Sequence, residues 1–346
     1  MMKCVKTRTS FGQVRKNTHS ECCLWAQERA GCGPGWLAPF VLAHKRHKKI
    51  ILYLLCLLWL ISRMARRNWR NLRLLFAIAV VLAALAFYAC WWEPSSLTIV
   101  HRTIAISPWH REHSGLRVAV MSDLHVGSPY KGIPSLKRLV SSVNAEQPDL
   151  VVLLGDYVIR GVLGGHFVPP EPIANELANL RAPLGVIAVL GNHDWWVAGA
   201  EVRHALESCG VRVLENEAVS VKYRQQSFWV GGLADLWTRG NGVAATLSQI
   251  HDNEPVLLLM HNPDAFPGIP ARVSLSLAGH THGGQVNLPL IGRPDVPSKF
   301  GQRYAYGLIE ESGRKMFVTS GVGTSIVPVR FRVPPEIVIL EVRAAD

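Results

Sequence analysis

The chain has 346 residues, 49% of them hydrophobic and 18% charged, enough for one large domain or two ordinary ones. Its net charge of +12 is lopsided: residues 1–92 hold 15 Lys/Arg against 2 Asp/Glu, and residues 93–346 hold 22 against 23. The main domain is therefore near neutral, which gives no support for a nucleic-acid partner, and its single cysteine, Cys209, excludes a disulfide scaffold.

Residues 1–49 mix Cys, Gly, His and basic residues without periodicity. Ile50–Ile61 is apolar but only 12 residues long, short for a membrane crossing. Leu74–Trp92 is a run of 19 residues without a charge, which matches a hydrocarbon core of about 30 Å. It ends in Tyr88, Trp91 and Trp92, and it follows Arg63, Arg66, Arg67, Arg70 and Arg73. Basic residues prefer the cytoplasmic flank and aromatic ones the interface. One crossing is expected, with the main domain on the non-cytoplasmic side. A cleaved signal peptide fits less well, because bulky Trp91 and Trp92 stand where small residues are needed. If Ile50–Ile61 also crossed, the two segments would form a hairpin and the main domain would be cytoplasmic. Met64 onward reads as a complete anchor, so Met64 is expected to be the native start. The expected organisation is a basic, Cys-containing extension at 1–63, an anchor at 64–93, a linker and first strand region at 94–115, and the main domain at 116–346.

From Leu116 short apolar runs alternate with helical spacing. Strands are expected at Arg117–Ser122, Leu150–Leu154 and Gly185–Leu190, with helices at Pro134–Gln147, Glu171–Leu180 and Glu201–Ser208 between or after them. Shorter β-like pieces follow at Val211–Leu214, Val219–Tyr223 and Ser227–Val230, then a short helix at Thr246–His251. Later strands are expected at Pro255–Met260, Val273–Leu277, Lys315–Thr319 and Glu336–Val342. Buried strands alternating with helices define an α/β architecture, and the later strand-rich stretch implies a second sheet.

The polar residues fall where those strands end. Asp123-Leu124-His125, Gly155-Asp156, Gly191-Asn192-His193-Asp194, His261 and Gly279-His280-Thr281-His282 each follow an apolar run directly. In open α/β sheets the carboxyl ends of strands line the ligand crevice, so five segments converge on one edge. Carboxylate oxygen and imidazole nitrogen suit Zn, Mn or Fe. Seven such groups (Asp123, His125, Asp156, Asn192, His261, His280 and His282) are too many for one tetrahedral ion and suit two ions sharing a carboxylate. Such a pair can hold a phosphoryl group and activate water.

In this order the motifs resemble those of the calcineurin-like metallophosphoesterases, over residues 116–343. The resemblance implies a four-layer αββα sandwich of two mixed sheets with a dinuclear centre. It places Asp123, His125, Asp156 and His282 on one ion, and Asp156, Asn192, His261 and His280 on the other. His193 would protonate the leaving oxygen, a task suited to imidazole, whose unperturbed pKa is near 6.5. Asp194 would either orient His193 or cap the following helix. Gly279–Gln285, Ser320–Thr324, Arg330 and Pro335-Glu336 resemble the membrane-anchored bacterial branch, which includes UDP-2,3-diacylglucosamine pyrophosphatases. The expected location is the cell (inner) membrane.

Gly155-Asp156-Tyr157-Val158-Ile159-Arg160-Gly161 resembles the GDYVDRG segment of the family's protein phosphatases, with Ile159 in place of Asp. Arg160 and Trp195 are candidate substrate contacts, and Trp237, Tyr306 and Asp235 lie in loops that can reach the pocket. The expected activity is a phosphodiesterase or pyrophosphatase on a lipid-linked or nucleotide-linked substrate. A phosphomonoesterase or cell-wall phosphopolymer hydrolase is the alternative, and a non-catalytic membrane-tethered scaffold the minor one. No protein partner can be inferred.

Overall fold

The computed structural model describes residues 38–240 and 242–345, so the larger part of the expected extension, up to residue 37, lies outside the described residues. The chain divides into two units, Met1–Phe76 and Ala77–Asp346. In the first, the side chains from Leu52 onward lie on one face-less helix, exposed on all sides except at Ser62. That helix runs from Ala38 to Phe87 without a break, so no turn separates Ile50–Ile61 from Leu74. Among the described residues one helical stretch, Leu52–Ser95, is long and apolar enough to cross a membrane.

The second unit carries two six-stranded mixed sheets. The first is ordered β1 (Thr98–Ile106), β12 (Glu336–Ala344), β2 (Leu116–Met121), β3 (Leu150–Leu153), β4 (Val186–Ala188), β5 (Arg212–Val213). The second is ordered β10 (Gly307–Glu311), β11 (Arg314–Val318), β9 (Leu275–Ala278), β8 (Val256–Leu259), β7 (Gln226–Gly232), β6 (Glu217–Tyr223). Strands β2 to β5 run parallel, as do β7, β8, β9 and β11.

Side-chain alternation builds the layers. Val118 and Val120 of β2 join Leu257 and Leu259 of β8 and Leu275 and Leu277 of β9 in the core between the sheets. Ala119 and Met121 face the other way, onto helices Ile133–Ala145, Pro170–Leu177 and Asn192–Ser208. Leu258 and Met316 look outward from the second sheet, where the covering layer is thin: the short helix Val243–Leu247 and turns at Pro263–Gly268 and Gly301–Tyr304. This is the four-layer αββα sandwich, with one helical layer much thicker than the other.

The apolar helix ends in a π-helical turn, Tyr88–Trp92, in which the Glu93 N–H reaches back to the Tyr88 carbonyl. The wider turn leaves neighbouring carbonyls for other partners. Ala89 O accepts from Arg330 N, and Cys90 O from the Tyr130 hydroxyl. Glu93 is buried, and its carboxylate accepts the N–H groups of Arg332 and Val333. Glu93→Ala strands both donors and is expected to cost about 1–3 kcal/mol. Thermal unfolding of the detergent-solubilised variant checks this, and a chain begun at Ser95 is expected to show the same loss.

Candidate metal centre

Strands β2, β3, β4, β8 and β9 all deliver their carboxyl ends to one edge. The connections leave the strands sharply. Asp123, His125, Asp156, His280 and His282 all have positive φ, between 41° and 70°. For non-glycine residues that conformation costs of order 1–3 kcal/mol each and persists where surrounding structure enforces it. Here the enforcement is visible. The N–H groups of Asp123 and His125 donate to the carbonyls of Gly155 and Asp156, and the His280 N–H donates to Asp123 Oδ2 at 3.0 Å. Gly279 is obligatory in this crossing, since a Cβ there would strike Ser122 Oγ and Asp123 Oδ2.

The side chains converge in two sets. One ligand atom from each of Asp123, His125 and His282 lies within 4.8 Å of the others, the same holds for Asp156, His261 and His280, and a third such group, His125, Asp156 and His193, overlaps both. Asp156 Oδ2 lies 3.5 Å from His125 Nε2 and 3.2 Å from His261 Nε2, between the two sets. Asn192 Oδ1 is 3.1 Å from His261 Nε2. All seven are buried.

The donor set fits divalent ions. His261 Nδ1 donates to the Leu154 carbonyl at 2.7 Å, which leaves Nε2 to present its lone pair. That lone pair faces Asp156 Oδ2, Asn192 Oδ1 and His280 Nδ1, the last at 3.1 Å, a convergence of acceptors that calls for a cation. Asp123 Oδ1 is buried without a hydrogen-bond partner, 3.4 Å from His282 Nε2. His125 and His282 meet Nε2 to Nε2 at 3.1 Å. Burial pushes both imidazoles down to about 3, so they offer lone pairs at neutral pH. At His261 burial acts downward, but the Asp156 carboxylate prevails and lifts it to about 10, so Nε2 carries a proton unless a metal ion takes that proton's place and claims the lone pair.

His193 stands beside the ligands, half-buried, its ring edge-on to His125 at 4.8 Å, and its backbone N–H donates to Asp156 Oδ1. Of the two roles open to Asp194, the geometry favours capping. Its buried carboxylate accepts from the N–H groups of Gly191, Asp156 and Tyr157, and no hydrogen bond joins it to His193 among the described residues. It shapes the Asp156 loop instead of the proton donor.

A cleft of about 250 Å³ opens over the ligands, lined among others by His193, Trp196, Trp237, Gln285 and Ile326. Arg160 and Trp195 are not among its walls. Ile159 is drawn into the core and Arg160 emerges exposed over the Phe167 ring. Trp195 packs against the helix-side core, with the Arg239 guanidinium over it. Trp196 takes the place expected of Trp195, because the helix begins at Asn192, not Glu201, and residue 196 lies one turn from Asn192. It stands edge-on to His193 at 4.9 Å and stacks on Trp237 at 6.1 Å. Tyr306 is tied to Glu336, and Asp235 caps its own turn at Trp237 and Thr238, so neither lines the cleft.

Fold and site together define a metal-dependent phosphohydrolase with a dinuclear centre. Residues 116–284 match the model of the calcineurin-like phosphoesterase family. The metallophosphoesterase YkuE of Bacillus subtilis is 30% identical over 262 residues, 75% of this chain and 90% of that one. The phosphodiesterase YaeI of Escherichia coli is 31% identical over 259 residues, 73% and 91%. A transmembrane protein with a metallophosphoesterase domain from Danio rerio is 30% identical over 281 residues, 77% and 62%. The chain belongs to the calcineurin-like metallophosphoesterase family.

Proposed function

We propose that the protein is a membrane-anchored phosphodiesterase or pyrophosphatase acting on a lipid-linked or nucleotide-linked phosphoester. Asp123, His125, Asp156 and His282 would hold one divalent ion, and Asp156, Asn192, His261 and His280 the other, the metals being Mn, Zn or Fe. When bound, the pair supplies positive charge for phosphoryl oxygens and acidifies water near neutral pH. The protein's part is positioning. Asp156 would contribute to holding both ions, and His193 would protonate the oxygen that leaves. Trp196 and Trp237 wall the substituent of the phosphoester.

The observation that carries the diester reading is the charge of the cleft walls. Among the described lining residues there is no Lys or Arg. A monoester dianion is usually met by such cations, whereas a diester carries a single charge and a second substituent for the apolar walls. The name of the relative YaeI supports the same reading. For the anchor, Arg63 to Arg73 ahead of Leu74 support a single pass through the inner membrane with the catalytic domain outside the cytoplasm.

Hydrolysis of bis-p-nitrophenyl phosphate should exceed that of p-nitrophenyl phosphate by the metal-loaded full chain. The reverse preference moves the assignment to a phosphomonoesterase. His193→Ala is expected to lower kcat by about 10²–10⁴-fold, the size of general acid catalysis, with metal content unchanged. A variant that loses its metal as well would assign His193 to the ligand set.

A further inference from the structure

Several loops end in exposed apolar side chains and are tied, directly or through one another, to the end of the anchor helix. Tyr130, itself exposed, donates to Cys90 O. Leu163 is exposed in a neighbouring loop, where a Cβ added at Gly164 would meet the Pro129 side chain. The Leu163 N–H donates to the carbonyl of Ile326, which is exposed together with Val327. Four residues on, Arg330 N donates to Ala89 O, so Ile326 lies within about 14 Å of that attachment. Leu290 and Ile291 are the exposed tip of a tight turn closed by Leu288 and Gly292. The base of that turn, at Val286 and Asn287, pairs with Phe331, whose ring meets Tyr88 edge-on at 5.8 Å.

Single exposed apolar residues need no explanation, but these share one place. Ala89 and Cys90 stand in the same turns as Tyr88, Trp91 and Trp92, aromatics that belong at the boundary between lipid and water. Loops fastened to that level sit at the membrane surface. Apolar tips there bury about as favourably as the face of an interfacial helix. Ile326 is also a wall of the catalytic cleft, so the exposed apolar tips and the cleft share a residue.

We propose that Tyr130, Leu163, Leu290, Ile291, Ile326 and Val327 form a collar that seats in the bilayer around the anchor. The cleft then opens onto the membrane surface, and the substrate is the phosphoester headgroup of a membrane lipid, drawn in from the same leaflet. This rests on the crossing at 74–92 and on the phosphodiesterase reading of the site. It narrows that reading from lipid or nucleotide to lipid.

The test uses the full chain in vesicles of phosphatidylethanolamine and phosphatidylglycerol doped with a lipid carrying a diazirine near its headgroup. After illumination, peptide mapping should find lipid adducts in 161–168, 286–292 and 325–329 as well as in the anchor. Adducts confined to the anchor overturn the collar. In the same vesicles the triple variant Leu163→Glu, Leu290→Glu, Ile291→Glu should cleave an embedded phosphodiester lipid about 10-fold more slowly or worse, with soluble bis-p-nitrophenyl phosphate unaffected. Unchanged lipid turnover, or equal losses on both substrates, contradicts the proposal. Adducts on the tips with soluble diester cleaved and the embedded lipid untouched uphold the collar and overturn the lipid as substrate. Adducts with neither ester cleaved overturn the phosphodiesterase reading and leave the collar standing.

Discussion

Asp156→Asn should lower turnover by about 10³-fold or more, since it removes a charge on which both ligand sets depend. Asp156 Oδ2 lies between the two sets, within 3.5 Å of an imidazole nitrogen from each. Oδ1 meanwhile accepts the backbone N–H of His193, so the same carboxyl fixes the main chain that carries the proposed proton donor. Asparagine preserves the shape and the Oδ1 acceptor but removes the negative charge that draws positive charge into this corner. The chain should therefore fold normally and hold less metal. Metal content by plasma mass spectrometry, read beside circular dichroism, checks this. Full metal content with full activity would assign the bridging role elsewhere.

Arg330→Met should destabilise the fold by about 3–5 kcal/mol, a large part of the usual stability of a domain. Arg330 is fully buried, and its guanidinium donates to the carbonyls of Ser320, Gly321, Gly323 and Val333. Burial pulls it down to about 10, so it stays charged at neutral pH. The loop it holds is pressed on the ligands: Gly323 N donates to Asp123 O, and a Cβ at Gly321 would lie 2.7 Å from Asp123 Cβ. Methionine fills the volume but strands four carbonyls, each a buried acceptor without a donor. Lysine should rescue little, because one point charge cannot reproduce the planar fork. Urea unfolding in detergent measures the loss, and a change under 1 kcal/mol for Arg330→Met would mean that water replaces the guanidinium.

The seven expected ligands were legible because each follows an apolar run, and the ends of parallel strands meet at one edge. The sandwich was legible for the same reason: runs such as Leu150–Leu153 and Val256–Leu259 are buried on both faces and carry no polar alternation. What escaped had weaker signals. Strand β10 reads Gly-Leu-Ile-Glu-Glu, with one buried residue, and looks like a loop. The helix from Asn192 was placed nine residues late because its first turns are polar and aromatic and carry a kink at Ala198. That error exchanged Trp195 for Trp196. Arg160 was favoured by likeness to a motif whose Asp is Ile159 here, and the burial of Ile159 turns the chain away from the cleft. The π-helical turn and the buried Glu93 leave no periodic trace, so the tie between anchor and catalytic domain emerges only from the coordinates.

The most direct test of the central claim is a metal titration of the purified full chain. The protein is stripped with chelator, then Mn or Zn is added in steps while bound metal and bis-p-nitrophenyl phosphate hydrolysis are read on the same sample. The account predicts no turnover in the stripped protein and a rise that saturates at two bound ions per chain, as the proposed pair of ligand sets bridged by Asp156 requires. Turnover that survives chelation, or that saturates with one ion bound, would contradict it.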